Sequence, residues 1–138
     1  MYLLGFPLLI IPFAIYNIVA FVLSMPHTIW TTEAASIPMT SGEIWRLTWE
    51  DIIIAGSIFL LWIEVMKSTR IGVRAIVDHV LSMLLFVGML VEFLLVRAAG
   101  TSTFFLMLII AMVDVLAGFI ISIRSSQRQV EVETATRT

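Results

Sequence analysis

FFLMLIIAMVDVLAGFIISI, residues 104–123, settles how the rest of the chain is read. This run contains one charged side chain, Asp114. As an α-helix it covers about 30 Å, the thickness of the hydrocarbon core of a lipid bilayer. Three more apolar runs precede it. Leu3–Ser24 has no charge, Ile52–Val65 is interrupted only by Glu64, and Val80–Val96 only by Glu92.

Composition agrees with that reading. Hydrophobic residues make up 60% of the 138 positions and charged residues 13%, against about half and about a quarter in a soluble domain. One soluble core of this size cannot enclose so much apolar surface. Backbone polar groups in hydrocarbon must pair within their own segment, so the runs are read as helices, and no alternating pattern suggests a barrel. The expected fold is an all-α integral membrane protein with four transmembrane helices in an antiparallel left-handed bundle. The spans fall at about 3–24, 45–67, 75–96 and 103–124, and 125–138 is a polar, mobile cytoplasmic tail. The first run has no basic start and carries Pro7 and Pro12, so it reads as a retained span rather than a cleaved signal. Thr40–Ser41–Gly42–Glu43 reads as a capping box that starts the second helix near Ser41, with Trp45 and Trp49 on interfacial turns.

Charge sets the orientation. Lys67, Arg70 and Arg74 follow span two, and Arg124, Arg128 and Arg137 follow span four. The opposite side holds only Arg46 and Arg97. Both termini are therefore expected in the cytoplasm, with the bacterial inner membrane as location and Trp30 at the outer interface of a covering segment over 25–51. The connection from Arg97 to Thr103 is short, so spans three and four form a tight hairpin. Equal depth then sets Asp114 opposite Phe86 and Glu92 opposite Leu108.

In such a chain the information lies in the few polar side chains at membrane depth. A central Asp costs about 2.5–3.5 kcal/mol to insert, so Asp114 should face protein. Ala111 and Gly118 share its helical face and let a neighbour approach closely. Asp114, Glu92, Asn17 and Ser57 form the candidate intramembrane polar site, drawn as one line through the bundle. Asp114 suits either a neutral hydrogen-bonding group that glues helices or a site that takes up and releases a proton. Asn17 and Ser57 read as interhelical hydrogen bonders, and Glu92 as a partner of Arg97 or of the outer water layer. Glu64, three residues from Lys67, reads as interfacial, and Arg74 and Asp78 are spaced to pair. His27 and His79 fall on opposite sides of the membrane and read as solvated or interfacial.

Several function classes are set aside. The net charge is −2 and the basic residues do not cluster, so no nucleic-acid partner is expected. There is no cysteine, which excludes disulfides and thiol chemistry. No nucleophile elbow, phosphate loop or HExxH pattern is present, so no enzyme, metal or cofactor is expected. Glu64 in span two, Arg97 ending span three and Arg124 ending span four give an outline shared by many small four-span families. The phosphate-starvation-inducible family is one of them, and no family is assigned from it. Small multidrug transporters carry an acid in span one, where this chain has only Asn17. The expected partners are the lipid bilayer and a second copy or another membrane protein. The function expected is a small non-enzymatic polytopic inner-membrane protein acting as an oligomer or accessory subunit. A proton- or cation-coupled transporter or channel using Asp114 is the rival.

Overall fold

The computed structural model of the chain describes residues 5–69 and 73–137, with the side chains of Val73 and Arg74 outside that description. Over these residues it is mostly helical, with four α-helices and one two-stranded sheet.

Helix α1 spans Ile10–Asn17 and continues as a π-helical turn over Ile18–Val22. Pro12 lies in its first turn, where the missing N–H has no intrahelical partner to lose. Ser24 adopts a left-handed backbone (φ 49), and the Met25 N–H reaches back to the Val19 carbonyl at 3.2 Å. This closes the helix in the manner of a Schellman cap, with Pro26 following to prevent its continuation. The helical part of the first run is thus shorter than the expected 3–24, of which residues 3 and 4 lie outside the described residues.

A 3₁₀ turn over His27–Thr31 leads into a hairpin, where the sequence predicts a covering loop and the start of a helix. Strand β1 (Glu33–Pro38) pairs antiparallel with β2 (Ile44–Thr48), Ser36 facing Arg46 and Ile37 facing Trp45. Gly42 makes the turn with φ 91, a conformation that costs glycine little. The Thr40–Glu43 stretch is therefore hairpin turn, not helix cap. The true cap lies one strand later. Thr48 Oγ1 accepts from the Asp51 N–H at 3.3 Å, and Asp51 Oδ2 accepts from the Thr48 N–H at 2.9 Å. Helix α2 accordingly runs Trp49–Ser68, and Trp45 belongs to a strand.

Helix α3 spans Val73–Leu95, a 3₁₀ turn covers Arg97–Ala99, and α4 runs without a break over Ser102–Arg137. The polar tail is a helical continuation of α4, not irregular chain. Among the described residues two helices, Ala75–Leu95 and α4, are long and apolar enough to cross a membrane. Helix α2 carries Glu50, Asp51, Glu64 and Lys67, which leaves Ile52–Ile63 as its uninterrupted apolar run, about 18 Å long.

Packing centres on α4. It lies along both α2 and α3, which touch each other far less, and α1 adds contacts to α2 and α4. Phe104 is fully buried and meets Tyr16, Phe13 and Phe93 at centroid distances of 5.0, 6.2 and 6.3 Å. Trp30 stacks on Tyr16 at 4.9 Å with the rings 7° from parallel. Trp30, expected at the outer interface, is buried against protein, because the 3₁₀ turn folds the indole inward onto Tyr16 of α1. Trp45 and Trp49 remain exposed.

Candidate functional site

The polar residues gather at the two ends of the helix pack rather than along one line. At the end nearest the α3–α4 turn, Tyr16 donates its hydroxyl proton to the Ala98 carbonyl at 2.8 Å. Its oxygen also lies 2.7 Å from Thr101 Oγ1. With the tyrosine proton committed, Thr101 is the donor in that second bond. Thr101 also accepts from the Phe104 N–H at 3.2 Å, capping α4. One buried phenol therefore ties α1 to the turn that joins α3 and α4.

Asn17 stands beside this network. Its Nδ2 donates to the Phe13 carbonyl at 3.1 Å and to Glu92 Oε2 at 3.4 Å. Two of the four expected site residues, Asn17 and Glu92, are thus brought together. Among the described residues Glu92 forms no ion pair with Arg97, and its Oε1 is buried without a hydrogen-bond partner. Ser57 is buried but donates to the Ile53 carbonyl of its own helix at 2.7 Å. It links no helices, and the expected line is interrupted there.

The other end carries the denser group. Asp114 is buried on α4, with the side chain of the buried Ser82 on α3 beside it. Glu64 and Lys67 of α2 are its charged neighbours. Glu64, expected at the interface, is itself buried against protein. It pairs with Lys67 at 3.4 Å and accepts from the Leu8 N–H at 2.8 Å. Lys67 Nζ also donates to the Phe6 carbonyl at 3.0 Å. The segment before α1 is therefore fastened to α2 by an ion pair whose remaining valences go to backbone.

His79 completes this end. Its ring lies on the face of α4 where Gly118 has no side chain, with Nδ1 2.5 Å from the position a Cβ would take there. Nε2 is buried without a hydrogen-bond partner, as is Asp78 Oδ1. His79, expected to be solvated or interfacial, is half-buried, because Gly118 opens a recess that a larger residue would fill. His27 stays exposed on the 3₁₀ turn at the opposite end. The expected Arg74–Asp78 pair lies outside the described residues.

Helices α3 and α4 do form the tight hairpin, but its register is one helical turn from the expectation. Asp114 meets Ser82 rather than Phe86, and Phe104 and Phe105 meet Phe93. With α3 ending at Leu95 and α4 starting at Ser102, the hairpin is centred on the 3₁₀ turn near Ala98–Ala99 rather than on residue 100, which accounts for the slip. Among the described residues no group of three or more His, Cys, Asp or Glu side chains is placed to hold a metal ion.

The arrangement joins one buried carboxyl, one buried ion pair and one imidazole across three helices. Glu64, Lys67 and His79 carry little signal in the sequence because each lies near a run's end, where solvent is the default neighbour. The available signals were the three-residue spacing of Glu64 and Lys67 and the glycine facing His79. Comparison of the chain with models of protein families, with curated proteins and with solved structures finds no match.

Proposed function

We propose that the chain is a small, non-enzymatic integral membrane protein that works as an oligomer or as an accessory subunit of a larger membrane assembly. One observation carries the reading. Of the described apolar side chains of α3, only Met89 is fully buried, whereas Ile76, Val80, Leu84, Val87, Val91 and Leu94 form an exposed stripe along the helix. Exposed apolar area on that scale is the mark of a membrane or a partner. In this reading α3 and α4 cross the bilayer, and α2 lies alongside with Glu64 and Lys67 answering each other's charge. The helix made by α1 and its π turn, about 20 Å long, packs as a shorter fourth segment. The lysine and arginine distribution puts both termini in the cytoplasm.

The absence of cysteine makes the topology testable without background, by single cysteines introduced at Thr40 and Val130. A membrane-impermeant thiol reagent should reach the first from outside and the second only from the cytoplasm. Labelling of both from the same face overturns the orientation. The oligomer reading is tested at Asp114. Asp114→Asn keeps a hydrogen-bonding group and should retain assembly on native gels, whereas Asp114→Leu should disturb it. Normal assembly of the Leu variant counts against the reading.

A second reading, proton- or cation-coupled transport, is favoured by the gathering of Asp114, Glu64, Lys67 and His79 at one end. Ionisable side chains at membrane depth are costly and often mark ion pathways. Here Asp114→Asn should abolish flux in proteoliposomes while helical content is kept. Unchanged flux eliminates it.

A further inference from the structure

Immediately past the apolar part of α4, a surface cleft of about 640 Å³ opens between that helix and the end of α2. Thr69 forms the α2 wall, and Ile121, Arg124, Ser125, Arg128 and Val132 lie along α4. The geometry points to a binding site for the headgroup of an anionic phospholipid. This inference rests on the membrane reading above and adds a ligand to it.

Three observations support it. First, Arg124 and Arg128 are one helical turn apart and line the same cleft, and among the described residues neither is in an ion pair. Glu133 also borders the cleft, but its carboxylate is engaged by Arg137 at 3.0 Å. Two guanidinium groups at that spacing suit a phosphate, which each can meet with paired N–H donors. Second, the depth is right. The apolar run of α4 ends at Ile123, so the cleft lies where headgroups lie in a bilayer that this helix crosses. Third, the neighbouring surface suits acyl chains rather than water. Ile120 and Ile123, directly toward the apolar end, are exposed at 54% and 46%. A free phosphate would use only the arginines, whereas a phospholipid uses both surfaces.

The test uses the full chain reconstituted into phosphatidylcholine vesicles containing graded phosphatidylglycerol, with native mass spectrometry of the lipid that stays bound. The wild type should retain phosphatidylglycerol over phosphatidylcholine, and high salt should weaken that preference. The double variant R124Q/R128Q changes two exposed side chains and should keep the helical signal while losing about 25-fold in preference, about fivefold for each arginine. Equal retention of the two lipids by the wild type, or an unchanged preference in the variant, overturns the proposal. Competition by soluble glycerol phosphate as effective as the lipid itself overturns the lipid as ligand. A chain that fails to enter phosphatidylcholine vesicles overturns the membrane reading and this site with it. One that enters but shows no preference overturns the site alone.

Discussion

Replacing Gly118 by alanine tests the contact that seats His79 against α4. A Cβ at that position would stand 2.5 Å from Nδ1 and 3.1 Å from Cε1 of the imidazole. Ordinary contact is about 3.5 Å, so the ring must retreat by about 1 Å. It retreats with its far edge already enclosed, since Nε2 is buried and the Phe119 ring lies 6.3 Å away by centroid. Forcing a methyl group into a packed contact costs about 1–3 kcal/mol. Against this, alanine is the better helix former by about 1 kcal/mol. The single variant is then expected to be destabilised by up to about 2 kcal/mol. In a His79→Ala background the recess is empty, only the helix preference remains, and Gly118→Ala should stabilise by about 1 kcal/mol. The coupling between the two sites is therefore about 1–3 kcal/mol, read as a change of sign. Reversible unfolding in mixed micelles, followed by helical circular dichroism, measures all four members of the cycle. If the two substitutions add within about 0.5 kcal/mol, His79 is not seated on Gly118 and the hairpin register is wrong.

Lys67→Met removes the cation from a carboxylate that is itself 4% exposed, and should cost about 3–5 kcal/mol in the same unfolding measurement. Adding Glu64→Gln should recover most of that loss, and no recovery would mean that the ion pair is not what holds the N-terminal segment. Tyr16→Phe strips partners from the Ala98 carbonyl and the Thr101 hydroxyl, at an expected cost of about 1–3 kcal/mol. Amide exchange at the α3–α4 turn should rise with it, and an unchanged rate would refute the tie. At the start of α2, outside its apolar run, the backbone and side-chain hydrogen bonds from Thr48 hold the Asp51 carboxyl below its usual 3.8. Because the folded value is depressed, the cap's contribution is complete above about 3.8 and disappears as the pH falls through the lower folded value. Amide exchange over residues 49–51 should accelerate on acidification, and Asp51→Asn should remove that pH dependence.

The helices were legible in proportion to their apolar length. Helix α3 begins and ends, and α4 begins, close to where the hydropathy places them, because a long charge-poor run admits few other structures, but α4 continues to Arg137, well past its apolar part. The hairpin over 33–48 was not legible. Its strands are short, nearly all exposed, and carry no alternation, and the hairpin they form is flanked by the Tyr16–Trp30 stack before it and the start of α2 after it. The same hairpin displaced the helix start from Ser41 to Trp49. At the polar site the sequence singled out Asp114, Glu92, Asn17 and Ser57 by their depth alone, without pairing Asn17 with Glu92. It did not reveal that Ser57 would turn back on its own helix, since a serine at membrane depth bonds equally well to the carbonyl four residues earlier. Nor could it show Glu64 and Lys67 facing inward, because that depends on the segment at Phe6–Leu8 folding back to accept and donate.

The unbroken run of α4 has a mechanical consequence. From Ile123 to Arg137 the helix extends about 21 Å beyond its apolar part with no proline, glycine or bend to absorb rotation. A tilt of about 10° about Ile123 would swing the far end by roughly 4 Å, taking that rise as the lever arm. The projecting portion thus behaves as a stiff handle. A force applied to it is carried along the helix toward Gly118 and Asp114, where His79 and Ser82 lie against the same rod.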